Sequence, residues 1–246
     1  MYVQLSLLFC TTLISGLLIF ALPKTYVPLL DYILAFGGSY LFAITLVHML
    51  PELFQHNTQG INLGLWLLIG FSFQLLLDLL GGSIAHGHVP GHSISAKKQP
   101  SSTMQRSSFT LLICLFFHAS LEGALWTEGH ISLLLGMILH KMPIAFTLAS
   151  VLLYRQYKRQ NVFIILVIFA AITPLSFLLK DYLTHTEFLS AANALKLHAM
   201  AIGGVFHIAT TILFETNPHH QLNKTKWVAS LLGAVLAIGI DHTIAH

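Results

Sequence analysis

Residues 109–154 read FTLLICLFFHASLEGALWTEGHISLLLGMILHKMPIAFTLASVLLY. Two apolar stretches, about 109–127 and 131–153, each approach the roughly 20 residues that a helix needs to cross a hydrocarbon core. A short polar break separates them, so they read as consecutive, antiparallel membrane helices. Three metal-ligating side chains sit inside: His118 and Glu122 in the first stretch, His140 in the second. Ionisable groups at bilayer depth are costly, and they mark a substrate path, a proton relay or a buried cofactor. His118 and Glu122 are four apart and share one helix face. His140 follows Glu122 by 18 positions, which fits a short turn plus half of the second helix. Two imidazoles and a carboxylate meeting near mid-membrane form a site suited to Zn²⁺ or a similar divalent ion.

The rest of the chain agrees with a membrane setting. Of 246 residues, 55% are hydrophobic and 9% charged, against about 25% charged in soluble domains. The mean hydropathy is +0.76. The reading is an all-α polytopic membrane protein, with residues 1–246 forming a single transmembrane domain. The first segment has neither a basic n-region nor a clear small-residue cleavage site, so it reads as a retained span. Cys10 and Cys114 lie in apolar runs and look like small buried hydrophobes. Fifteen histidines outnumber nine acids, a bias toward metal chemistry. No nucleic-acid partner is expected, because the basic residues fall in short loops beside the membrane.

Eight segments qualify as spans: about 2–21, 32–51, 63–82, 109–127, 131–153, 162–180, 193–214 and 227–245. With the N-terminus placed outside, the inside loops hold Lys24, Lys97, Lys98, Arg106, Arg155, Lys158, Arg159, Lys224 and Lys226. Only Lys180 and Lys196 fall outside. The positive-inside rule then puts both termini on the extracytoplasmic side of a plasma or bacterial inner membrane. The longest loop, about residues 83–108, is Gly-, Pro- and Ser-containing, reads as flexible, and faces the cytoplasm.

Further candidates surround the central group. His48, near one end of the second span, is the natural fourth ligand for a tetrahedral ion. Glu52 lies one turn beyond it, where it either attracts cations or is a solvated helix end. Asp78 and the loop histidines His86, His88 and His92 form a candidate exit, since clustered imidazoles in a mobile loop bind divalent ions weakly and reversibly. His207 sits mid-span and is assigned to the same path with less support. Lys141 follows His140 directly. Its ammonium cannot ligate a metal and opposes a second divalent ion, and a salt bridge to Glu122 is the bland alternative. Interhelical hydrogen bonding alone is the structural alternative for the whole group.

FHASLEGALW followed by LHKMPIAFTL resembles the ZIP family (Zrt/Irt-like proteins), which moves zinc and related divalent metals. AFGGSYLFAITLVHMLPEL, GFSFQLLLDLL with the His-containing loop after it, and AIGGVFHIATTILFE extend the likeness along nearly the whole chain. The resemblance implies eight helices with inverted three-helix repeats around a central pair, extracytoplasmic termini, and a cytoplasmic loop after the third helix. It also implies a primary metal site at His48, His118, Glu122 and His140. Members with two adjacent metals carry an Asn and acids where this chain has Ala119, Lys141 and Ile144, so a single metal is expected.

The expected function is transport of divalent metal, with zinc uptake into the cytoplasm through the His/Glu site by alternating access. The ion is then the substrate, and no cofactor is expected. Uptake should fall toward about pH 6, because protonated imidazole cannot bind metal. The competing readings are a membrane-embedded zinc hydrolase, for which HExxH is lacking, and a bis-histidine haem protein, which Glu122 and Lys141 fit poorly. The partners expected are the metal ion and the lipid bilayer, and the sequence leaves a homodimer open.

Overall fold

A computed structural model describes residues 2–21, 27–58, 60–81, 101–125, 131–215 and 224–244. Among these residues every long element is helical and no strand occurs. Helix α1 spans Tyr2–Leu17 and ends in a 3₁₀ turn, Leu18–Phe20. Helix α2, Val27–Ile44, runs through a π-helical turn at Thr45–Met49 into α3, Leu50–Gln55. Then come α4 (Leu63–Gly81), α5 (Ser101–Leu125), α6 (Ile131–Tyr154), α7 (Arg159–His185), α8 (Ala191–Glu215) and α9 (Lys224–Ile244).

Among the described residues six helices are long and apolar enough to cross a membrane: Tyr2–Phe20, Tyr32–Gln55, Leu63–Leu80, Ile131–Tyr154, Arg159–His185 and Ala191–Leu213. The described apolar part of α5, Phe109–Leu125, is shorter. Exposed leucines and isoleucines line α4, α7 and α9, including Leu68, Leu79, Ile164, Leu175, Leu232 and Ile238. Faces of this kind suit a hydrocarbon solvent. The chain is therefore an all-helical, polytopic membrane protein.

The loop expected over 83–108 does not extend through residues 101–108. Residues 101–108 form the first turns of α5. Pro100 followed by Ser101, Ser102 and Thr103 is a helix-start sequence, and nothing after it breaks the helix before the apolar run. His86, His88 and His92 lie outside the described residues.

Membrane helices lack a hydrophobic force between them and associate by close packing at small residues. That is the rule here. α4 packs along α8, α2 along α9, α1 along α6, and α5 along α7. A Cβ on Gly203 would overlap the Leu67 carbonyl, and one on Gly70 would overlap the Met200 carbonyl, so α4 and α8 touch backbone to backbone. Gly123 of α5 meets the Thr173 carbonyl of α7 in the same manner, and Thr173 donates its hydroxyl hydrogen to the Ala119 carbonyl at 2.9 Å. α5 packs mainly on α4, α7 and α8, whereas α6 packs mainly on α1, α2 and α7. The two helices that carry the central group therefore share only α7 among their main neighbours and meet chiefly through side chains.

The π turn has a local cause. Pro51 has no N–H to offer the Val47 carbonyl, so the α-helical ladder is broken at that point. Leu50 N–H reaches back to the Thr45 carbonyl instead, an i→i−5 bond. Single π turns recur at functional sites, and this one carries His48.

Candidate metal centre

His118 and Glu122 lie one turn apart on α5, and both are buried. His140 and Lys141 are neighbours on α6 and are buried as well. Successive helical residues point about 100° apart, yet both reach the same carboxylate from different sides. His118 Nε2 lies 3.1 Å from Glu122 Oε1, His140 Nε2 lies 3.2 Å from the same oxygen, and the two Nε2 atoms are 3.3 Å apart. Lys141 Nζ holds the other oxygen, Oε2, at 2.5 Å. Its ammonium also sits 4.9 Å from the centre of the Phe169 ring.

The triangle of Nε2, Nε2 and Oε1 has the dimensions of a metal site. Ligand atoms about 2.0–2.1 Å from one tetrahedral Zn²⁺ stand roughly 3.3–3.4 Å apart. Three of four tetrahedral corners are thus close to position. This is the one group of three or more metal-ligating side chains that converges among the described residues. Lys141 engages Oε2 and leaves Oε1 facing the two imidazoles. Pro143, three residues after His140, cannot bond the Leu139 carbonyl. That carbonyl faces Gly37 of α2, where a Cβ would come within 3.2 Å of it.

His48 is not in the triangle. Its Nε2 pairs with Glu52 Oε2 at 3.4 Å, with the side chains 22% and 31% exposed. Glu52 in turn borders a cavity of about 720 Å³ between α3, α7 and α8, which is also lined by His56, Lys180, Asp181, His185 and His198.

Asp78 and His207 come together, a pairing that the sequence does not announce. Asp78 Oδ2 lies 3.2 Å from His207 Nδ1 across the α4–α8 contact, and Phe71 packs edge-on against the His207 ring. Gln74 is a site residue that sequence reasoning missed. It is buried on α4, with its Oε1 3.3 Å from His118 Nδ1 and its Nε2 3.2 Å from Asp78 Oδ1. The signal available was a glutamine four residues before an aspartate inside an apolar run, since a polar pair on one face of a membrane helix needs a partner.

No family model matches the chain. Curated proteins do. Zinc transporter ZIP9-B of Xenopus laevis is 28% identical over 217 residues, covering 76% of this chain and 69% of the relative. Zinc transporter ZIP9 of Micropogonias undulatus is 28% identical over 220 residues, covering 76% and 68%. Zinc transporter ZIP9 of Xenopus tropicalis is 27% identical over 217 residues, covering 76% and 69%. Over three quarters of its length the chain is thus similar to curated zinc transporters of the ZIP9 name. Ala119 and Ile144 are buried within one apolar cluster with Leu115, Leu148 and Phe169. These two positions offer no ligand atom beside the triangle.

Proposed function

We propose that this chain is a transmembrane carrier of divalent metal that takes zinc into the cytoplasm. His118, Glu122 and His140 hold the ion near the middle of the bundle, and His48 supplies the fourth ligand when the π turn brings it inward. The observation that carries this reading is the 3.1–3.3 Å triangle of ligand atoms buried among apolar helices. The relatives' printed names, zinc transporters all, support it. The chain acts as one domain of eight spans with both termini outside, and Glu52 marks the mouth. Asp78 with His207, and then His86, His88 and His92, mark the way out.

The ion is substrate throughout. Lys141 keeps Glu122 compensated when no ion is bound, so the unloaded state does not bury a bare carboxylate. A single ion then binds per cycle, and access alternates by movement of one helix group past another. The haem alternative fares worse. A porphyrin has to sit between its two axial nitrogens, and here those nitrogens are 3.3 Å apart with a carboxylate closing the triangle.

Proteoliposome uptake tests the reading. Wild type should accumulate zinc, and a His118→Ala/Glu122→Ala variant of equal abundance should not. Unchanged uptake by that variant would mean that the ion travels by another route.

A further inference from the structure

Gln74 bridges two groups that the transport path uses separately, and its place between them constrains which atoms carry hydrogen. An ionised carboxylate only accepts hydrogen bonds, whereas a primary amide has one accepting oxygen and one donating nitrogen. Gln74 Nε2 therefore faces Asp78 Oδ1 as donor, at 3.2 Å. The amide oxygen is left to face His118 Nδ1 at 3.3 Å. That oxygen can only accept, and Glu122 Oε1 on the other side of the ring only accepts as well, so the two compete for the hydrogen of a neutral His118; an assignment to Gln74 places it on Nδ1. Nε2 is then bare, and it is the atom aimed at Glu122 Oε1 and His140 Nε2. Asp78's second oxygen meets His207 Nδ1 at 3.2 Å, which ties the far end of the chain to α8.

We propose that Gln74 is a positioning residue: oriented by Asp78, it fixes His118 in the tautomer whose Nε2 lone pair points into the metal triangle. This inference rests on the transport reading for its purpose, and its chemistry rests on Gln74 holding the ring hydrogen against the competing oxygen of Glu122. A metal-ligating imidazole commonly donates its other N–H to a fixed acceptor, and loss of that acceptor lowers metal affinity by about 10–100-fold. His140 differs: its Nδ1 is buried with no hydrogen-bond partner among the described residues, so nothing comparable there orients it. The polarity of the chain runs in one direction, from Asp78 through Gln74 to His118. The charge on α4 thus prepares a ligand on α5 without touching the ion.

The decisive experiment inverts that polarity. In the Gln74→Glu/Asp78→Asn double variant, the carboxylate introduced at position 74 accepts from His118 Nδ1–H with one oxygen. Its other oxygen accepts from the amide introduced at position 78, whose own oxygen still accepts from His207. Zinc affinity of the purified full-length protein, measured by competition with a chromophoric chelator, should fall 10–100-fold in Gln74→Leu. It should return to within a few-fold of wild type in the double variant. Nitrogen NMR of histidine-labelled, metal-free protein should assign His118 as the Nδ1–H tautomer in wild type and in the double variant. In Gln74→Leu it should show a mixture or the opposite form.

Wild-type zinc affinity in Gln74→Leu overturns the proposal, as does an Nε2–H tautomer of His118 in the wild type. If Gln74 only packs α4 against α5, the double variant should be no better than Gln74→Leu, and the proposal fails. If wild type binds no zinc at all, the transport reading fails, while the metal-free tautomer measurement still decides the role of Gln74.

Discussion

The bundle holds a histidine and a glutamate one helical turn apart in two places, and their surroundings make them different devices. His118 and Glu122 on α5 lie 3.1 Å apart with both side chains 3% exposed. His48 and Glu52, straddling the π turn into α3, lie 3.4 Å apart and are 22% and 31% exposed. The buried pair is enclosed by His140, Lys141 and Gln74, so its charges are compensated and its directions are set. The half-exposed pair borders an open cavity and sits on the segment where Pro51 has already broken the helical ladder. Identical spacing in sequence thus yields an enclosed, neighbour-bound cluster in one case and a half-exposed pair beside a cavity in the other. The deciding factor is how many neighbours restrain each pair.

The largest effect should come from the buried pair. Glu122→Gln/Lys141→Met removes both charges together, which is often close to neutral for folding, yet it deletes the carboxylate on which the proposed site depends. Zinc uptake should fall by at least about 100-fold, well beyond the loss from any change at the mouth. Equal losses from Glu52→Gln would erase the distinction between the two places.

Lys141→Met alone asks a different question. It strands the Glu122 carboxylate in the interior, and metal-free stability should drop by about 3–5 kcal/mol. Saturating zinc replaces the missing cation, so thermal unfolding should show a larger zinc-induced rise in Tm than wild type. A wild-type response would mean that Lys141 does not compensate the site. His48→Ala should weaken apparent zinc affinity by about tenfold, roughly 1.4 kcal/mol, with the protein's stability nearly unchanged. An effect as deep as that of the buried pair would place His48 permanently on the ion. The smallest change is expected from Pro51→Ala, which restores the ladder and stiffens the segment that carries His48. KM should shift about two- to threefold, well under 1 kcal/mol, while zinc binding at the triangle stays intact.

The central group was legible in the sequence because its cues are local: a four-residue spacing on α5 and a turn's distance to α6. Apolar runs gave most of the helices for the same reason. The pairing of Asp78 with His207 was not legible, since it requires knowing that α4 lies along α8, and hydropathy does not record which spans are neighbours. Gln74 escaped because its spacing to Asp78 shows that the pair needs a partner without saying which, until the fold brings His118 beside it. The beginning of α5 at Ser101 was missed because polar turns beyond the membrane look like loop when only hydropathy is read.

Gly70 and Gly203 put α4 and α8 in contact with no side chains interposed. Two rods seated that closely, and pinned again by Asp78 and His207, have no freedom to roll or slide against each other. In the proposed alternating-access cycle they would be carried as one plate. That cycle would then have to draw its movement from seams elsewhere, and the side-chain bridge between α5 and α6 is the one it would open.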